Sequence, residues 1–402
     1  MRIIRPADIL LPRIRSMGSW SVVACDQFTS QPDYWDEAEK LAGEDPSALR
    51  LILPEAWLGT PREENADARI AESMREYLSR DLFLTYPQCF IYLERTQSDG
   101  RVRRGLMAAL DLEQYDFAPG NRAPVRATEG TVEERLPPRI RIRANAPLEM
   151  PHVMVLMDDR DDRVLGPLEN AGHRMKKLYD FDLMLKGGHV TGWLVTGPLL
   201  ETALSTLDSL SDEELLREKY GFAAEKGPLV FAVGDGNHSL AAAKRYWERL
   251  RAELSEQERE THPARFALVE LVNIHETALD FEPIHRVIFD TDTGSWKDEY
   301  ERYRSGWEDT GRTIGERVSA ADRFCREYIA SHGGHVDYIH GDETAQQLGN
   351  RPGCGAVLLP PVEKNGLFYS VLADGALPRK SFSMGQAEDK RYYLECRKIR
   401  RD

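Results

Sequence analysis

Short apolar runs bounded by polar turns recur along the first 160 residues. Runs of this length between turn signals predict buried strands, which we place at 20–25, 89–94, 102–112 and 153–157. The turn Ser98–Gly100 lies between two of these runs and predicts an antiparallel hairpin. A cap at Ser30 or Asp33, followed by acidic residues, predicts a helix over 33–43, and apolar residues at helical spacing predict a longer helix over 63–80.

The rest of the chain alternates the same two patterns. Further strands are predicted at 178–182, 190–196, 229–233, 266–274, 284–289, 336–339 and 356–359. Further helices are predicted at 129–135, 212–220, 239–260 and 320–331, with Ser211 or Asp212 capping the second of them. The alternation indicates an α/β or α+β fold in which mixed sheets pack against helices. A chain of 402 residues suits two packed regions, 1–262 and 263–402.

The segment from Val233 to Ser239 reads Val-Gly-Asp-Gly-Asn-His-Ser and joins a predicted strand to a predicted helix. Unpaired N–H groups at a helix start, next to glycines that permit close approach, are typical of an anion site. Asp235 can hold a metal ion there, while His238 and Ser239 can add hydrogen bonds, and Lys244 follows about one turn into the helix. The alternative is a tight turn with Ser239 as an N-cap.

Composition narrows the class of partner. The net charge is −14, which disfavours nucleic acid and anionic membranes and favours small molecules. The chain starts without the apolar run of a secretion signal, and no stretch reaches the roughly 20 apolar residues of a membrane-spanning helix, so we expect a cytoplasmic protein. Its five cysteines are scattered without metal-site spacing.

Several segments together resemble one known family. The stretch Val233–Ala243 resembles the Asp-Gly-His-His-Arg segment of domain of unknown function family 1015 and, more distantly, the phosphate loop of the ParB and sulfiredoxin-like fold. Other segments fall in the order of the family's motifs, namely Ala24–Ser30, Asp45–Ser47 with Arg50, the trio Arg126, Glu129 and Arg135, Pro283–Arg286, and Leu377–Ser381.

This resemblance implies a ParB/sulfiredoxin-like phosphate-binding region in 1–262 and an additional α/β region in 263–402. Relatives with this loop include kinases of free L-serine that use a catalytic glutamate, so the implied activity is phosphoryl transfer from ATP or ADP with Mg²⁺. Glu129, Asp235 and His238 are then the implied catalytic residues, with the metal ion on Asp235. The implied nucleotide ligands are Gly236, Asn237, Ser239, Lys244, Arg286 and Lys380.

The substrate is expected to contact Asp26, Ser30 and His285. Each role has an alternative: Asp26 as the cap of a local turn, His285 as a structural histidine, and Glu129, Arg286 and Lys380 as ordinary surface charges. Cys25 invites a sulfiredoxin-like thiol mechanism, but sulfiredoxin carries its cysteine inside the loop, so we expect no reactive thiol here.

The loop departs from the family pattern at two positions. Asn237 replaces the first histidine and Ser239 replaces the arginine, so a bidentate phosphate ligand is missing where the pattern has one. The second hypothesis is therefore a non-catalytic nucleotide-binding switch or partner-binding module. The oligomeric state stays open, with a homo-oligomer as one option.

Overall fold

The computed structural model describes residues 2–306 and 313–401. Its strands, in chain order, are β1 Ile4–Arg5, β2 Ala7–Pro12, β3 Phe83–Thr96, β4 Val102–Asp111, β5 Tyr115–Asp116, β6 Val125–Ala127, β7 Leu148–Glu149, β8 Met154–Met157, β9 Lys176–Asp182, β10 His189–Val195, β11 Phe231–Asp235, β12 Phe266–Asn273, β13 Phe281–Phe289, β14 His335–His340, β15 Gly355–Val357, β16 Phe382–Met384 and β17 Arg397–Lys398. Its α-helices are α1 Met17–Trp20, α2 Pro32–Ala42, α3 Ala66–Ser79, α4 Leu136–Asn145, α5 Leu165–Ala171, α6 Gly197–Ser209, α7 Glu213–Tyr220, α8 Asn237–Arg251, α9 Glu256–Thr261, α10 Trp296–Ser305, α11 Ile314–His332, α12 Asp342–Gly349 and α13 Asn365–Asp374.

One mixed sheet of 11 strands organises most of the chain. Its order is β5-β6-β11-β8-β12-β4-β3-β10-β9, with β1 added on β4 and β2 on β3. Strand β11 runs parallel to β6 and antiparallel to β8, whereas β12 runs parallel to β8 and antiparallel to β4. The predicted class, mixed sheets packed against helices, is confirmed.

Both faces of this sheet are buried. Along β3, Phe90 and Tyr92 belong to one apolar core, and the alternate residues Ile91 and Leu93 belong to a second core on the other face. Because successive side chains of a strand point to opposite faces, a strand covered on both sides needs apolar residues at every position. This explains why the strand sequences read as continuous apolar runs.

Two smaller sheets complete the architecture. Strand β13 pairs with β14, β15 and β16, and it packs with α11 around a third core. Strand β17 returns to pair with β7. A boundary at 262/263 falls just before β12, which lies in the middle of the large sheet, so the two predicted regions share that sheet.

Local elements differ from the predictions in a few places. Residues 20–25 do not form a strand: α1 ends at Trp20, and Val23 makes an isolated bridge with Arg391. The helix predicted over 239–260 is two helices, α8 and α9, and α9 has its own capping box at Ser255 and Glu258. Asp212 caps α7 as predicted, since its carboxylate accepts from two backbone N–H groups.

None of the helices in the described part of the chain combines the length and the apolar composition that crossing a bilayer requires.

Candidate functional site

The turn between β11 and α8 is the centre of the candidate site. Gly236 has a φ of +76°, and a Cβ atom there would lie 2.9 Å from the Cα atom of Val153. Only glycine meets both conditions without strain. The Gly236 N–H donates to Oδ1 of Asp235 at 2.8 Å, so the turn also fixes this carboxylate at the end of the strand.

Helix α8 starts immediately after this turn and is 15 residues long. Its N-cap is Gly236, which has no side chain to satisfy the first N–H groups of the helix. These groups and the helix dipole place partial positive charge at residues 237–239. In addition, Oδ1 of Asn237 is buried without a hydrogen-bond donor among the described residues. The helix start therefore carries the partial positive charge that attracts an anion, and beside it lies one acceptor oxygen that the described residues leave without a donor.

Lys390 supplies a full positive charge next to this turn. Its Nζ lies 3.3 Å from Oδ2 of Asp235, and both side chains are largely buried. Burial alone would lower the pKa of Lys390, but the carboxylates of Asp235, Asp26 and Glu129 raise it above the ordinary value. The ammonium group thus stays charged among three carboxylates.

Glu129 is the third acidic residue of this cluster. It follows β6, the parallel neighbour of β11, and bridges to Leu377. Burial raises the pKa of Glu129 to about 7 and Asp235 adds to the shift, against the opposing effects of Lys380 and the Ser381 N–H. A carboxyl group with a pKa near 7 can accept a proton at neutral pH, which is the property of a general base.

His238 is held as a neutral ring. The backbone N–H of Val132 donates to its Nε2 at 3.2 Å, so Nδ1 carries the proton. Burial, together with the positive charges of Arg139 and Arg135, lowers the pKa of His238 to about 4. At neutral pH this side chain offers an N–H donor and no positive charge.

Ser239 contacts a histidine that the sequence patterns did not single out. Its Oγ lies 3.1 Å from Nε2 of His152, whose ring packs edge-on against Tyr392. Burial lowers the pKa of His152, although Asp26 and Asp235 oppose the shift. Ser239, at the position where the family's pattern has arginine, is therefore engaged by His152.

Asp26 joins the cluster from the N-terminal segment. Its Oδ1 accepts a hydrogen bond from Nε2 of Gln27 at 3.0 Å. Burial would raise the pKa of Asp26, but His152, the hydrogen bond and then Lys390 outweigh burial and lower it. Asp26 is thus a buried, ionised carboxylate beside the positive charge of Lys390.

The neighbouring Cys25 is held in its protonated form. Tyr392 donates its O–H to Sγ of Cys25 at 3.2 Å. Burial, with Asp26 adding to it, raises the pKa of the Cys25 thiol to about 12. A thiol that stays protonated at neutral pH is a poor nucleophile, which disfavours a sulfiredoxin-like mechanism.

The cluster contains carboxylate oxygens, the type of ligand that Mg²⁺ prefers. Among the residues of 2–306 and 313–401, no group of three or more histidine, cysteine, aspartate or glutamate side chains is arranged to hold a metal ion. Magnesium in phosphate-transfer sites commonly uses one or two carboxylates, with water and phosphate oxygens completing the octahedron. Asp235 and Asp26 suit that arrangement.

Two predicted ligands are engaged elsewhere. Nζ of Lys244 is buried, donates to the carbonyl of Leu112 at 2.9 Å, and lies 3.7 Å from Glu248. Both ring nitrogens of His285 have partners, a carboxylate oxygen of Asp342 at 2.8 Å and a backbone N–H. The structure brings neither side chain to the α8 turn, because each is fixed by its own neighbours.

Arg286 is fully buried and contacts the site only through backbone. Its Nε pairs with Asp322 at 2.8 Å, and its Nη1 donates to the carbonyl of Lys380 at 3.0 Å. Lys380 lies in the turn that presents the Ser381 N–H to Glu129. Arg286 therefore holds that turn in place, and Lys380 acts on Glu129 by its charge. Ser30 is exposed, just before α2.

Lys390 and Arg139 are the site residues that sequence reasoning missed. Lys390 comes from the last segment of the chain, where no strand-turn-helix pattern marks it. Arg139 lies on α4, whose first residues include two prolines and which was predicted only as a short helix ending at 135. His152 carried a weak signal, as a polar residue directly before a buried strand.

A comparison with known protein families identifies the family of this chain. A family model described as "Protein of unknown function (DUF1015)" matches residues 4–398. The chain therefore belongs to this family. No curated protein matches it.

A solved structure of a conserved hypothetical protein from Pyrococcus furiosus gives a distant likeness. The TM-score is 0.30 at 7% identity, over 73% of this chain and 95% of that chain. A TM-score this low supports no argument about fold or function.

Proposed function

We propose that this protein is a nucleotide-dependent kinase that transfers a phosphoryl group to the hydroxyl of a small metabolite. The observation that carries the proposal is the position of Glu129, which follows the strand parallel to β11 and lies near Asp235 at the start of α8, where burial raises its pKa to about 7. Phosphoryl transfer needs both parts, a phosphate cradle and a carboxylate that accepts the proton of the hydroxyl.

The donor phosphates bind at the start of α8 in this proposal. The N–H groups of residues 237–239 contact phosphate oxygens, and Lys390 supplies the positive charge that the family's loop arginine supplies elsewhere. Asp235 and Asp26 hold Mg²⁺. When bound, this ion neutralises the charge on the phosphate oxygens.

Glu129 acts on the acceptor. The acceptor oxygen attacks the terminal phosphorus, its proton passes to Glu129, and the bond from that phosphorus to the bridging oxygen of the donor breaks. The nucleotide leaves with the electron pair of that bond. The resemblance suggests free L-serine as acceptor, and the buried Oδ1 of Asn237, which has no donor among the described residues, suits its ammonium or hydroxyl group.

The first test is a thermal-shift screen of the purified protein with ATP, ADP, CTP and pyrophosphate, each with and without Mg²⁺. Selective binding to the native state raises the midpoint, so the donor nucleotide should give a magnesium-dependent rise. The nucleotide that shifts the midpoint is then incubated with serine, and phosphoserine is measured by mass spectrometry.

Variants separate binding from transfer. Glu129→Gln should abolish turnover and retain the shift, whereas Lys390→Met should weaken the shift itself. Lys40→Met changes an exposed lysine on α2 and should match the wild type in both assays. If the wild type binds a nucleotide and shows no turnover with any hydroxyl compound, the kinase proposal fails and the non-catalytic switch takes its place.

A further inference from the structure

A cavity lies directly beside the α8 turn and shares residues with it. Its volume is about 160 Å³, and Cys25, His152 and Ser239 form part of its wall. Ser239 therefore faces the cavity while its N–H belongs to the first turn of α8. Anything bound at the helix start has the mouth of this cavity next to it.

The wall of the cavity is predominantly apolar. Its apolar residues come from several separate elements, among them Leu53, Met74, Ile142, Met150, Leu240 and Leu268. Two arginines also line it, but Arg139 pairs with Glu55, and Arg143 pairs with Glu149 at 2.7 Å. Each arginine has a carboxylate partner, but Nε of Arg139 and both Nε and Nη2 of Arg143 are buried without an acceptor among the described residues. The cavity therefore suits a mainly apolar group that carries a hydrogen-bond acceptor.

The volume limits the size of that group. An apolar cavity of roughly 150 Å³ in another protein stays free of water and binds benzene. A group about the size of a six-membered ring therefore fits here. Free serine, the acceptor that the resemblance suggests, has no such group, so the cavity favours a different hydroxyl-bearing acceptor.

We propose that this cavity holds the apolar body of the hydroxyl-bearing acceptor, and that the acceptor is a compact ring-sized metabolite. The inference rests on the proposed function for the phosphate at the helix start, and on the cavity for the apolar body. Ser239 belongs to both places, so the occupant of the cavity lies next to a phosphate at the helix start, whereas the base of a nucleotide is separated from its phosphates by the ribose. This favours the acceptor over the base of the nucleotide as occupant.

Three probes test the two parts separately by calorimetric titration of the full chain. Methyl phosphate reports the phosphate site alone, phenol the cavity alone, and phenyl phosphate both. Burying the ring should make phenyl phosphate bind on the order of 30-fold more tightly than methyl phosphate. Equal affinities for the two phosphates would overturn the inference.

Cavity-filling variants locate the ring. Ala243→Leu on α8 and Ala267→Leu on β12 extend side chains into the cavity from two different elements. Either variant should remove the advantage of phenyl phosphate and leave methyl phosphate unchanged. The inference would be overturned if both variants fold and still bind phenyl phosphate more tightly than methyl phosphate. It would also be overturned if the variants lose ATP binding while their affinity for phenyl phosphate is unchanged.

The outcomes also distinguish this inference from the proposed function. In one outcome, phenol binds to the wild type and not to the cavity-filling variants, whereas methyl phosphate and nucleotides do not bind at all. The cavity is then a ligand site, and the kinase proposal fails. If methyl phosphate and ATP bind but no ring compound does, the kinase proposal stands and the acceptor lacks a ring.

Discussion

The ionisation of Glu129 should be visible in the stability of the protein. Burial raises the pKa of Glu129 from its ordinary 4.5 to about 7. The folded state then binds more protons than the unfolded state between these two pH values, so stability falls as pH rises through this window. The difference between the two pKa values corresponds to a loss of about 3 kcal/mol in the free energy of unfolding, and this loss is complete well above pH 7.

Glu129→Gln removes this titration, because glutamine cannot ionise. The measurement is urea unfolding of wild type and variant at pH 5 and pH 8, compared at each pH. The free energy of unfolding of the variant minus that of the wild type should be about 2 to 3 kcal/mol larger at pH 8 than at pH 5. If the difference in unfolding free energy between variant and wild type is the same at both pH values, the pKa of Glu129 is not raised in the folded protein.

Glu395 provides a matched control. It is buried in a core network where Tyr179 donates to it, and burial raises its pKa to about 7 as well. Glu395→Gln should show the same pH signature in stability and leave nucleotide binding and turnover unchanged. Loss of turnover in this variant would mean that the activity follows stability and not the proton of Glu129.

Three further predictions concern the turn and its neighbours. Lys390→Met should raise the midpoint of the Glu129 titration, because the Lys390 charge lowers the pKa of that carboxyl group; an unchanged midpoint in the pH series would contradict this. Gly236→Ala should lower the free energy of unfolding by about 1 to 3 kcal/mol, whereas Gly366→Ala in α13, where a Cβ meets nothing within 4 Å, should be neutral or stabilising by urea unfolding. Cys25 should react with a thiol reagent at pH 8 far more slowly than Cys354. The rate of Cys25 is measured in the Cys354→Ser variant and the rate of Cys354 in the Cys25→Ser variant, and equal rates would contradict the raised pKa of Cys25.

The sequence by itself determined the local elements and the turn. Apolar runs predicted most strands, including β11, since strands of a sheet buried on both faces must be apolar throughout. The pair Gly234 and Gly236 around Asp235 predicted the strand-turn-helix of the candidate site. At Gly236 only glycine permits both the left-handed φ and the close approach of Val153.

Tertiary structure alone decided which charges meet. Lys390, Asp26 and Glu129 lie far apart along the chain and come together at the α8 turn through three different segments. The same packing directs Lys244 to a backbone carbonyl and pairs Arg286 with Asp322, so the side chains of these two predicted ligands do not reach the α8 turn. Charge and pKa depend on burial and on neighbours brought together by the fold, and no local pattern of residues encodes them.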